Sequence, residues 1–152
     1  MHRRHFIKKL FSLAAAAITG CFPWRLATAA WPETHFGKGE LNQLFRALFG
    51  EQTLIESDDI HVSLPETAEN GAVVPITISS ELEQISRIYI WVEKNPTPLA
   101  AEFELDASMA VYLTARIKMA ESCHVVVVAE QGQHLLRKQQ WVKVMQGGCG
   151  TG

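Results

Sequence analysis

Beyond residue 59 the chain alternates short β-branched and aromatic runs with turn-forming residues, and no helical period interrupts the pattern. Residues 60–64 alternate apolar and polar side chains and stop at Pro65, Asn70-Gly71 marks a turn, and residues 73–79 alternate again. Five further runs follow at 86–93, 100–106, 110–117, 124–130 and 135–145. Asn95-Pro96-Thr97-Pro98, Asp106-Ala107-Ser108 and Gln131-Gly132-Gln133 supply turn chemistry between them. A period of two places alternate side chains on opposite faces of a sheet. Strands punctuated by turns at intervals of about 8 to 12 residues suit an all-β fold, an immunoglobulin-like antiparallel β-sandwich. One short helix precedes the strands: Leu41, Leu44, Phe45 and Leu48 follow the i, i+3, i+4, i+7 stripe, and Gly50 closes it.

Two runs break the in-and-out rule of a sandwich. In one, Ile88, Ile90 and Val92 share a face while Tyr89 and Trp91 occupy the other; Val125-Val126-Val127-Val128 is apolar on both. A strand whose second face meets water carries polar residues there. These faces therefore need a cover, which is either the N-terminal helix or a surface of another chain.

The first 30 residues read as an address. They hold Arg3, Arg4, Lys8, Lys9 and Arg25 with no acid, then an apolar run at 10–19 and the small residues Ala27-Thr28-Ala29-Ala30. Arg3-Arg4 followed by Phe6-Ile7-Lys8 resembles a twin-arginine export signal, which implies a periplasmic mature protein. The apolar run is shorter than the roughly 20 residues that span a bilayer, so no stable membrane insertion is expected. Ile18-Thr19-Gly20-Cys21 has the form of a lipoprotein box, an alternative that would anchor the chain through Cys21. Removing the five basic residues of this segment leaves 14 − 5 = 9 against 16 acidic ones, a net charge of −7. A surface so acidic has no means of displacing phosphate counterions, which excludes nucleic acid as the expected partner.

The expected organisation is a signal at 1–30, a sandwich domain with its helix at 31–145, and a glycine-rich arm at 146–152. The arm, Gln146-Gly147-Gly148-Cys149-Gly150-Thr151-Gly152, has four glycines in seven residues. A segment with so few side chains has no apolar face to bury, and at full extension its seven residues reach about 25 Å. It can present Cys149 inside a narrow channel, with Gly147, Gly148, Gly150, Thr151 and Gly152 adding little width. No base or cation flanks the thiol, and Lys143 is the nearest basic side chain. Cys149 therefore reads as a covalent handle activated by a partner rather than as a catalytic nucleophile. Cys123, within a strand, reads as a core residue, although two cysteines in an oxidising compartment also permit a disulfide. His35, His61, His124 and His134 lack metal-ligand spacing, so neither a metal site nor a catalytic residue is assigned.

Four stretches carry a family resemblance: 64–75 (Leu64-Pro65-Glu66-Thr67-Ala68-Glu69-Asn70-Gly71-Ala72-Val73-Val74-Pro75), 92–100 around Asn95-Pro96-Thr97-Pro98, 115–122 ending Ala120-Glu121-Ser122, and 142–150 with Gly147-Gly148-Cys149-Gly150. Together they resemble the SoxY family of periplasmic sulfur carriers. The resemblance implies that Cys149 carries sulfur intermediates of thiosulfate oxidation and that the chain is not itself an enzyme. It implies partners: a haem c enzyme that couples thiosulfate to the thiol, a hydrolase that releases sulfate, a sulfane dehydrogenase as a further candidate, and a SoxZ-like sandwich subunit forming a heterodimer. The only bound group it implies is the sulfur held on Cys149. Two positions depart from the pattern: Thr151 stands where the family usually has a second glycine after the cysteine, and Cys123 where it often has serine or another small residue. The competing reading is a periplasmic thiol-redox or metal-handling protein that uses Cys149 with Cys123.

Overall fold

The computed structural model describes residues 35–106 and 108–145; the segment read as an export signal with Arg3 and Arg4, Cys21, and the 146–152 segment with Cys149 lie outside them. Helix α1 is Leu41–Phe49. The strands are β1 Leu54–Glu56, β2 Ile60–Ser63, β3 Thr67–Ala68, β4 Val74–Ser80, β5 Ile85–Val92, β6 Leu99–Glu104, β7 Val111–Ile117, β8 Cys123–Gln131 and β9 His134–Val144.

They form two layers. One sheet has the order β1-β9-β8-β5-β6, with β3 added beside β9; the other is β2-β4-β7. The long pairings, β2/β4, β4/β7, β5/β6, β5/β8 and β8/β9, are antiparallel as expected of an immunoglobulin-like sandwich. The short strands β1 and β3 add parallel pairings along the remaining edge of β9. Neither was expected, because runs of two or three residues carry no readable period.

Burial follows the alternation. Ile88, Ile90 and Val92 of β5 and Cys123, Val125, Val127 and Ala129 of β8 pack between the layers against Ile60, Val74, Ile76, Ile78, Val111 and Ile117. The opposite faces of the same strands, Tyr89, Trp91, Val126 and Val128, are buried too. There they pack with Phe49 and Leu135, flanked by Leu41, Leu44, Phe45, Leu48 and Leu54. Phe45 meets the Trp91 ring edge-on at 4.7 Å, and Phe49 meets Tyr89 at 5.1 Å. Edge-to-face pairs of this kind contribute about 0.5–1.5 kcal/mol each beyond the area they bury. The helix, not a second chain, covers the two-sided strands. It stops at Gly50, whose φ of 64° lets its N–H turn back to the Arg46 carbonyl at 2.9 Å. Among the described residues no helix is long and apolar enough to cross a membrane.

Candidate functional site

Strand β9 carries the chain to Met145, the last described residue before the glycine-rich segment. What holds β9 here fixes the point from which Cys149 departs. On one side β8 pairs with it, Cys123 opposite Val142 and His124 opposite Trp141. On the other side the segment at β3 runs parallel: the Lys143 N–H donates to the Glu66 carbonyl and the Met145 N–H to the Ala68 carbonyl, each at 2.9 Å. The Ser122 hydroxyl accepts from the Val144 N–H at 2.9 Å and lies 3.4 Å from the Val144 carbonyl.

Two loops brace that clamp. The Met119 N–H donates to the Gly71 carbonyl at 2.7 Å. Gly71 has no room for a side chain, since a Cβ there would lie 2.4 Å from the Met119 carbonyl oxygen and 2.8 Å from Val144 Cγ1. Asn95 donates to the Lys118 carbonyl at 2.7 Å and accepts from the Ala120 N–H at 2.9 Å. The four stretches that carry the family resemblance, far apart in sequence, thus meet at the root of the arm through Gly71, Asn95, Ser122 and Val144.

Cys123 faces the inter-sheet core and is fully buried. Burial pushes its thiol up from the ordinary value, which favours the protonated form over the nucleophilic thiolate. The expectation of a core residue holds. The histidines are dispersed: His35 pairs with Glu102 at 2.9 Å, His124 Nδ1 lies 3.3 Å from Glu93, and His61 and His134 are exposed. Among the described residues no cluster of three or more His, Cys, Asp or Glu side chains could hold a metal ion.

One arrangement near the root was not anticipated. Trp141 is 53% exposed and packs edge-on to the His124 ring at 5.0 Å, while Glu93 Oε2 lies 3.3 Å from that imidazole's Nδ1. The three residues come from β9, β8 and the turn just after β5, and strand register brings them together.

The architecture defines the class: an immunoglobulin-like β-sandwich whose last strand leads directly into a glycine-rich segment bearing one cysteine. A family model described as "Sulfur oxidation protein SoxY" matches residues 45–149, a span that ends on that cysteine. The sulfur carrier protein SoxY from Chlorobium limicola f thiosulfatophilum has a similar structure, with a TM-score of 0.64 and 34% sequence identity over 70% of this chain and 96% of that one. No curated protein matches. The chain belongs to the SoxY family.

Proposed function

We propose that the chain is the sulfur-carrier subunit of a periplasmic thiosulfate-oxidising system and that Cys149 is its covalent attachment point. The observation that carries this reading is the family match running through to Cys149, joined to a sandwich that clamps the chain four residues before it. A carrier needs a reactive atom at a known distance from a stable body, and the clamp at Val144 and Met145 supports that arrangement.

In this reading the chemistry is divided among partners. A haem c enzyme joins the Cys149 thiolate to the sulfane sulfur of thiosulfate, forming an S–S bond and accepting two electrons. A hydrolase then adds water to the terminal sulfonate, releasing sulfate and two protons and leaving a persulfide anion on the cysteine. A sulfane dehydrogenase is the candidate for oxidising that remaining sulfur. The chain contributes the thiol, its reach and its recognition; it is not an enzyme and keeps no cofactor beyond the bound sulfur. Delivery by the twin-arginine signal at Arg3-Arg4 supplies the compartment.

A SoxZ-like sandwich remains the proposed heterodimer partner on family grounds. The two-sided apolar strands no longer argue for it, because α1 covers them. The buried, proton-retaining Cys123 thiol counts against a redox pair with Cys149. The test is Cys149→Ser in the full chain. It should fold and assemble like the parent, since a glycine-rich segment adds little buried area, yet support no thiosulfate oxidation. Retained oxidation would refute the carrier role.

A further inference from the structure

The outer face of the larger sheet is only partly covered. Along β9 the residues on this face run Leu135, Arg137, Gln139, Trp141 and Lys143, with Met145 following. Leu135 is buried with the helix cluster, whereas Trp141 and Met145 are 53% and 49% exposed. The cover therefore ends before the part of the sheet from which the arm departs. Two of the large exposed apolar side chains, Trp141 and Met145, thus lie on this face where the chain leaves the domain.

We infer that Trp141, with Met145 further along the same face, is a docking surface for the hydrolase that processes Cys149. The inference rests on the carrier reading. Its occupant follows from the length of the chain: Cys149 cannot lie more than about 14 Å from Met145. An enzyme that encloses the thiol in a recess must therefore bring the rim of that recess down onto the surface around the root. Trp141 suits that contact. Its indole is held edge-on by His124, which Glu93 holds in turn. A large aromatic group already fixed in one orientation loses little conformational freedom on docking, and such side chains carry much of the energy of an interface. The partner chemistry that fits is an apolar depression beside the channel mouth, with an acceptor for the indole N–H.

The experiment uses the mature chain in its heterodimer, loaded on Cys149 with a thiosulfate-derived group, and follows sulfate release by the hydrolase. Trp141→Ala should raise KM roughly tenfold or more, the range of a central interface residue. It should leave kcat within about twofold, as expected for binding shared by ground and transition states. Trp141→Phe should recover most of the loss. Alkylation of free Cys149 by iodoacetamide and heterodimer association should both be unchanged. An unchanged KM would overturn the proposal, and so would loss of the heterodimer, which would give this face to the partner sandwich instead. Slower alkylation would also overturn it by showing that the indole acts on the thiol. Should Trp141→Ala unfold, hydroxyl-radical footprinting of the parent decides: the hydrolase protects Trp141 from oxidation if the inference holds and leaves it unprotected if not. Cys149→Ser tests the carrier reading separately, so either can fail without the other.

Discussion

Gly71→Ala probes the clamp at the arm's root with a single methyl group. The added Cβ would sit 2.4 Å from the Met119 carbonyl oxygen and 2.8 Å from Val144 Cγ1. Both contacts are far inside van der Waals separation, and the first is to backbone. Relief requires the loop at Met119 to withdraw, but Met119 is itself buried and Asn95 ties the loop on either side of it. Overpacking of this kind costs about 1–3 kcal/mol. Withdrawal also stretches the 2.7 Å bond from the Met119 N–H to the Gly71 carbonyl, worth about 1 kcal/mol. Against these stands the reduced freedom of the unfolded chain, about 0.4–1 kcal/mol in favour of alanine. The net expectation is a loss of about 1.5–3 kcal/mol, or roughly 6–12 °C in Tm for a domain of this size. Urea denaturation followed by far-ultraviolet circular dichroism should show a lower midpoint with an unchanged slope. A midpoint equal to or above that of the parent would refute the reasoning, since it would mean that the Met119 loop yields freely.

Phe49→Ala removes a ring packed on both Tyr89 and Trp91 and should cost about 3–5 kcal/mol; a native-state red shift of Trp91 fluorescence would show that the helix has lifted. Cys123→Ser places a hydroxyl in the inter-sheet core and should cost about 1–3 kcal/mol while sulfur loading on Cys149 persists; loss of loading in a folded variant would indicate a dithiol mechanism. Burial pushes the Cys123 thiol up, and burial followed by the hydrogen bond to Glu130 pushes the Tyr89 phenol up. The unfolded chain therefore releases these protons first, and stability is full below the ordinary thiol and phenol pKa values of about 8.5 and 10 and declines as pH rises above them. The urea midpoint should fall above about pH 9, less steeply in Cys123→Ala and Tyr89→Phe; identical slopes in all three would contradict this origin.

The long strands were legible because a period of two and the turn residues between runs are local signals. The 124–130 run shows how far that reading reached: its apolar character on both faces said that a cover existed, but not which one. Coverage is a long-range fact, fixed only when Phe45 and Phe49 are seen against Trp91 and Tyr89. Strands β1 and β3 escaped notice because two or three residues, paired parallel to β9, express no period. The reading of Cys149 as a covalent handle came from its glycine neighbours, and that residue lies outside the described ones. The support of the strand before it was not legible: nothing local announces that Gly71 touches Val144, or that Ser122 bonds the backbone of the same residue. The Trp141–His124 pair was hidden for a similar reason, because cross-strand register decides which side chains meet.

The central claim is that Cys149 carries sulfur. Peptide mass spectrometry of the protein isolated under non-reducing conditions from cells oxidising thiosulfate tests it most directly. The account predicts that the peptide containing Cys149 bears thiosulfate-derived or sulfane adducts, removable by a reducing thiol, while the Cys123 peptide is unmodified. A Cys149 that is uniformly free during active oxidation, or joined to Cys123 in a disulfide, would contradict it.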